Sequence, residues 1–308
     1  MKTLLPLFRP RYWPTWLALG VLRVMEPLPY PVHYWLGRRI GGCLARLPLS
    51  FVRIARRNIE LCLPELSAPE RERLLKEHFR SAGVGIFETA ISWWSSNARI
   101  GKLTQVEGKE HLAAALARGK GAILLSAHFT TLEIGARALA DQQPTNIMYR
   151  PTANAVMERF LRLNRSRRAK RAIPRDDVRT LIGSLKNNEP VWYAPDQAYR
   201  KKGAQMVPFF NIPAATNTAT SRLAKMTGAA VLPYFQERLP GGGYRMVIHP
   251  MLENFPTDDP VADALRFNQL IEAQVRRVPE QYLWIHRRFK GLTADYPNYY
   301  QRVRANPG

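Results

Sequence analysis

The chain predicts an α/β protein built on a mixed, mostly parallel sheet flanked by helices. Short apolar runs such as Ala122–Leu125 carry no polar alternation, the pattern of strands covered on both faces. From residue 122 to residue 277 such runs alternate with stretches whose apolar residues recur at helical spacing, the order of elements that winds a parallel sheet. Finally, 308 residues suffice for one large domain with additions, and no linker, internal repeat or low-complexity tract divides them.

The elements are expected in this order. Residues Tyr12–Val24 are rich in Trp and Leu, follow Arg9 and Arg11, and are broken by Arg23 and Glu26. That stretch is short for a spanning helix and lacks the small-residue cleavage site of a secretory signal. Its aromatic residues, with Tyr30, Tyr34 and Trp35, suit the lipid headgroup level, and the arginines between Arg38 and Arg57 suit anionic lipid. Residues 1–60 therefore read as an N-terminal membrane-associating helical segment and 61–308 as the α/β domain. A core helix with a basic solvent face competes with that reading, and a longer, tilted span stays open. Ser67 caps a helix that continues through Trp93–Trp94. There follow a strand over Ala122–Ser126, a helix over Thr131–Asp141, a strand over Thr145–Tyr149, helices over Asn154–Ser166 and Asp176–Asn187, and a strand over Val191–Ala194. A helix over Asn217–Thr227, strands over Ala229–Phe235 and Tyr244–Ile248, and a helix over Val261–Arg277 complete the domain, with Tyr282–Lys290 as a final edge strand. Ligands of such sheets bind beyond the carboxyl ends of the strands, where His128, Arg150 and Asp196 each follow one.

His128 sits in a strand-to-helix turn, five residues before Glu133. Inside one helix the two would point about 140° apart, whereas a turn lets them converge. An imidazole can then take a proton from a hydroxyl or thiol while a carboxylate on its other nitrogen holds the tautomer. The same letters support a second reading, in which Thr130 and Glu133 form a capping box and Glu133 only closes a helix. G-x-S-x-G is absent, and neither Cys43 nor Cys62 lies in a comparable turn, so a base here implies direct transfer to a hydroxyl of the substrate. Backbone amides near Thr130–Thr131 are candidates to hold an oxyanion.

HFTTLE at His128–Glu133 resembles the HX4D/E motif of glycerolipid-type acyltransferases. With MYRP at Met148–Pro151, VWYAPDQ at Val191–Gln197, VPFF at Val207–Phe210 and YLWIHRRFK at Tyr282–Lys290, nearly the whole chain resembles the bacterial lipid A biosynthesis acyltransferases, the lauroyl branch in particular. The resemblance implies a glycerol-phosphate acyltransferase-like architecture at the cytoplasmic face of the inner membrane. It also implies transfer of a fatty acyl chain, laurate first, from acyl carrier protein to a hydroxyl on a 3-hydroxyacyl chain of a Kdo-bearing lipid A precursor. His128 and Glu133 would be catalytic. Arg165 falls where the family has a required Arg, Asp196 matches the Asp of its PD stretch, and with Arg150 they would bind substrate.

Lys and Arg number 46 against 24 acidic residues, a net charge of +22 that calls for acidic partners. Acyl carrier protein, a phosphorylated acceptor and an anionic membrane surface qualify, and the cluster from Arg165 to Arg175 is the densest source of guanidinium forks for phosphate. Nucleic acid is not expected, since no recognised binding motif accompanies the charge. No metal and no cofactor are expected: the histidines lack ligand spacing, and no phosphate-binding glycine motif is present. Two functions compete with this one. A lysophospholipid or glycerol-phosphate acyltransferase would share the motif, and a non-catalytic basic protein adhering to membrane or nucleic acid would use His128 and Glu133 only structurally.

Overall fold

The computed structural model describes residues 5–301. The tips of both expected regions, residues 1–4 and 302–308, lie outside the described residues.

Three N-terminal helices, α1 (Trp13–Met25), α2 (Tyr30–Leu44) and α3 (Ser50–Cys62), lead into α4 (Ala68–Trp94) and α5 (Asn97–Leu103). Then follow β1 (Thr104–Glu107), α6 (Lys109–Ala117), β2 (Ala122–Leu125), α7 (Leu132–Gln142), β3 (Asn146–Tyr149), α8 (Ala155–Arg168), β4 (Arg171–Pro174), α9 (Val178–Lys186) and β5 (Pro190–Tyr193). A hairpin of β6 (Ala204–Phe209) and β7 (Ile212–Asn217) precedes α10 (Ala219–Thr227), β8 (Ala230–Arg238), β9 (Tyr244–Ile248) and α11 (Pro260–Arg277). Seven strands form one sheet in the order β1-β9-β8-β2-β5-β3-β4, parallel except for β8 against β9, and the hairpin stands apart.

The expected sandwich of helix, sheet and helix is visible in single strands. Along β2, Ala122 and Leu124 pack with Ile134 and Leu139 of α7 on one face, while Ile123 and Leu125 pack with Leu181 and Leu185 of α9 on the other. Period-two side chains buried both ways explain why this run shows no polar alternation. Four strands escaped the sequence. β1 and β4 are edge strands half exposed to water, and the β6–β7 hairpin is too polar on one side to read as a buried run. The segment Tyr282–Lys290 is not the edge strand expected: after a short 3-10 turn it runs irregularly, bridged once to the sheet side by Phe129 and Tyr282. Its alternating aromatics are buried by packing into a cluster with Phe209 and Phe289 rather than by strand pairing.

Helix α4 organises what surrounds the site. Ser67 and Glu70 make the capping box that starts it. Gly37 and Gly41 of α2 and Gly83 of α4 let the two backbones touch, because a Cβ on Gly83 would collide with the Gly37 carbonyl. At its inner end Glu88 holds Arg238 of β8 through two hydrogen bonds of 2.6 and 2.8 Å and accepts a third at 2.7 Å from Tyr244. Helix α3 runs across the boundary expected at residue 60, and its Asn58 amide donates to the Trp284 and His286 carbonyls at 2.6 and 2.7 Å. The N-terminal region is thus packed into the α/β body rather than strung beside it. No helix among the described residues is long and apolar enough to cross a membrane.

Candidate active site

β2 and β5 are parallel neighbours in which Leu125 pairs with Tyr193. Their exits bring His128 and Asp196 face to face. The imidazole Nδ1 lies 2.6 Å from Asp196 Oδ1, and the backbone N–H of His128 donates to Oδ2 at 3.0 Å. An ionised carboxylate only accepts, so Nδ1 carries the proton and the Nε2 lone pair is left available as a base. The His128 side chain keeps 27% of its surface open to solvent while that of Asp196 keeps 2%, so the base can be reached and its partner cannot.

Burial alone would raise the Asp196 pKa, but His128, through charge and two hydrogen bonds, and the Arg288 guanidinium pull it below its usual range. Tyr282 adds a donor, its hydroxyl lying 3.3 Å from Oδ2. Arg288 is itself buried, donating to Ala215 O and Thr216 Oγ1 at 2.8 and 2.7 Å, so the hairpin holds it in place. His286 accepts from the Ala198 N–H at 3.1 Å, and burial lowers its pKa to about 4, so the ring is neutral and acts as an acceptor. Tyr282, His286 and Arg288 thus support the Asp196 loop. The turn itself is pinned by Thr130 N–H to Gln281 O at 2.7 Å, by Leu283 N–H to His128 O at 2.9 Å, and by Ser81 Oγ against Thr130 Oγ1 at 2.8 Å.

Glu133 does not orient His128, and it caps nothing. α7 begins at Leu132, with Thr131 as N-cap and no side-chain cap bond. This start turns Glu133 toward α4 and α8, where it accepts from Trp93 Nε1 at 3.3 Å and forms an ion pair with Arg165. Arg165 also lies 5.5 Å from the Tyr149 ring centroid, in cation–π contact. Ser92, Trp93, Asn164 and Arg168 line a small cleft around the pair. Of the five residues expected at the site, the structure therefore pairs His128 with Asp196 and Glu133 with Arg165. The fifth, Arg150, is exposed beyond β3 and makes no hydrogen bond or ion pair among the described residues. The Thr130 amide, engaged by Gln281, is unavailable to an oxyanion. Among the described residues no three His, Cys, Asp or Glu side chains gather into a metal site.

Residues 2–291 match the family model described as bacterial lipid A biosynthesis acyltransferase. The chain belongs to that family. It is 43% identical over 283 residues to the lipid A biosynthesis palmitoleoyltransferase of Escherichia coli K12, covering 91% of this chain and 92% of that one. To the lauroyltransferase of the same organism it is 40% identical over 296 residues, covering 96% and 97%. Among solved structures it resembles the 1-acyl-sn-glycerophosphate acyltransferase of Thermotoga maritima at 13% identity, with a TM-score of 0.36, covering 74% and 97% of the two chains. As a lipid A biosynthesis acyltransferase the protein is an enzyme with a lipid A-type acceptor.

Proposed function

We propose that this acyltransferase moves laurate from acyl carrier protein to the hydroxyl of a 3-hydroxyacyl chain on a Kdo-bearing lipid A precursor, at the cytoplasmic face of the inner membrane. The observation that carries the chemistry is the His128–Asp196 pair, with Nε2 open and Nδ1 held. Nε2 takes the proton of the acceptor hydroxyl as its oxygen attacks the thioester carbonyl. The C–O bond forms, the carbonyl oxygen becomes an oxyanion, and collapse breaks the C–S bond. The imidazolium then returns its proton to the leaving thiolate, so the ester and the free carrier thiol leave with the enzyme unchanged. Asp196, buried and held ionised, stabilises the imidazolium between these two transfers.

Arg165 and Arg168 at the cleft around Glu133 favour an acceptor with phosphate groups, which guanidinium forks bind in bidentate fashion. The net charge of +22 suits an acidic carrier protein as donor. Laurate is the chain that the resemblance to the lauroyl branch implies; the lauroyltransferase relative matches over 96% and 97% of the two chains at 40% identity, and the palmitoleoyltransferase relative at 43%, so palmitoleate is the competing chain. Incubating the purified protein with lauroyl-, myristoyl- and palmitoleoyl-carrier protein and the Kdo-bearing precursor, and weighing the lipid product by mass spectrometry, tests this directly. Lauroylation that disappears in His128→Ala is the expected result. Transfer of another chain in preference, or of none, overturns the proposal.

A further inference from the structure

Attack on a thioester carbonyl leaves negative charge on its oxygen, and the turn that carries the base offers that charge no donor. The His128 N–H is held by Asp196 and the Thr130 N–H by Gln281. Phe129 and Thr131 are buried, at 2% and 0% exposure, so their amides cannot be reached either. An oxyanion beside His128 therefore needs a donor from another part of the chain.

His286 has one. Its Nε2 accepts from the Ala198 N–H at 3.1 Å, and a ring nitrogen that accepts carries no proton. Burial lowers the pKa of this ring to about 4, helped by His128, Arg288 and Lys290, although the Asp196 carboxylate pulls the other way. A neutral imidazole holds one N–H proton, so here that proton is on Nδ1. The Nδ1–H has no hydrogen-bond partner among the described residues, and unlike both nitrogens of His78 it is not sealed from solvent.

The ring is held beside the base from two sides. Ala198 lies two residues past Asp196, on the same exit from β5. From the other side Leu283, three residues before His286, donates its N–H to His128 O at 2.9 Å. The His286 carbonyl accepts from Asn58 at 2.7 Å and from the Arg288 N–H at 2.9 Å. The two segments that fix His128 and Asp196 thus fix His286 as well, and of the charges that act on its ring those of Asp196 and His128 are the strongest.

We infer that the Nδ1–H of His286 is an oxyanion donor of the acyl transfer, hydrogen-bonded to the thioester carbonyl oxygen while His128 Nε2 takes the proton of the attacking hydroxyl. The inference rests on the thioester donor proposed above. No bond to His286 forms or breaks. Its proton stays on Nδ1, facing a charge that grows as the C–O bond forms and vanishes as the C–S bond breaks. Neutrality suits this task, because His128 becomes an imidazolium in the same step and a second cation beside it would oppose that charge. A neutral ring stabilises the oxyanion without weakening the base.

Two substitutions separate a donor from a prop. In His286→Gln the amide oxygen can stand where Nε2 stood and keep the Ala198 contact, but no donor remains at the Nδ1 position. In His286→Asn the amide nitrogen stands at the Nδ1 position, which keeps the donor and gives up Ala198. His286→Gln should therefore lower kcat by about a hundredfold to a thousandfold, the loss expected for one oxyanion donor, with KM for the acceptor little changed. His286→Asn should retain at least about tenfold more kcat than His286→Gln. A ring that only holds the Asp196 loop gives the reverse order, and that order, or a wild-type kcat in His286→Gln, overturns the inference. The comparison is run with lauroyl-, myristoyl- and palmitoleoyl-carrier protein. The ranking should hold for whichever chain the wild type transfers, which keeps an error in the choice of laurate apart from an error in His286. The place of the proton is read in the full-length enzyme without substrate, by nitrogen-15 NMR of histidine-labelled protein at pH 7, with the His286→Gln spectrum assigning the signals. A neutral ring protonated on Nδ1 is expected. A ring protonated on Nε2, or on both nitrogens, overturns the inference whatever thioester or acceptor the enzyme uses.

Discussion

His128 and Asp196 stand three positions beyond Leu125 and Tyr193, which are themselves paired across β2 and β5, so strand register alone carries the imidazole to within 2.6 Å of the carboxylate. The pair is a consequence of the sheet, and its geometry is as rigid as the two central strands that end in it. Four contacts from His128, Tyr282, Gln281 and Ser81 then keep both exits from drifting.

His128→Ala should lower kcat by about a hundredfold or more, the lower end for losing general-base help, with the fold retained. Asp196→Asn is the sharper variant. Its amide can donate toward Nδ1, which moves the ring proton to Nε2 and removes the base, so kcat should fall by about a hundredfold to ten-thousandfold with little change in melting temperature. Steady-state kinetics and circular dichroism on both purified variants make the comparison. A nearly wild-type kcat in Asp196→Asn would show that the carboxylate holds only the backbone of the turn.

Stability should fall on acidification in a defined window. Burial lowers the pKa of both His78 and His286 from 6.5 to about 4. Between those values the unfolded chain binds protons that the folded protein refuses, so the stabilisation is complete above pH 6.5 and is lost as pH drops toward 4. Asp196, depressed below its ordinary 3.8, has the same sign and adds its loss at still lower pH. Urea midpoints measured at intervals from pH 7.5 to 4 should therefore decline, and His286→Gln should flatten part of the decline. A rise in stability on acidification would contradict the neutral state of both rings.

Glu88→Ala should destabilise the protein by about 3–5 kcal/mol, because it strands the buried Arg238 guanidinium without its partner. Tyr244 loses an acceptor at the same time. Chemical denaturation reads the change, and a loss below about 1 kcal/mol would mean that water reaches Arg238 and replaces the carboxylate.

The parts of the fold legible in the sequence are those in which burial and periodicity agree. β2, α7, β5 and α11 show their pattern within a few letters, and the strand-to-turn position of His128 follows from them. The partner of His128 was not legible at that level, because proximity in sequence favoured Glu133 while the actual partner lies 68 residues away and is delivered by strand register. Asp196 was singled out as a substrate residue at the end of another strand, and only the order of the strands reveals that its exit adjoins that of β2. Tyr282 and Arg288 were hidden for a related reason. Their segment has the alternation of a strand, yet its contacts are made to a turn and a hairpin, which no local pattern encodes.

Glu133 and Arg165 should act as one unit. The carboxylate is held by Trp93 on one oxygen and Arg165 on the other, and the guanidinium in turn sits over the Tyr149 ring. Removing either partner leaves the other charged and half-buried in the cleft, so each single alanine variant should be damaging and the double variant little worse than the worse single. A coupling of about 0.5–3 kcal/mol in kcat/KM for the acceptor is the magnitude expected of residues in one network. Arg165→Lys keeps the charge but loses the planar fork that reaches Glu133 and stacks on Tyr149, so it should behave more like alanine than like wild type. The split between constants then assigns the role. A rise in KM for the acceptor at preserved kcat would mean that the pair holds the substrate in the ground state, and a fall in kcat would mean that it also aligns the hydroxyl with the thioester. Strict additivity of Glu133→Ala and Arg165→Ala, measured with the acceptor varied at saturating donor, would show that the ion pair has no part in either.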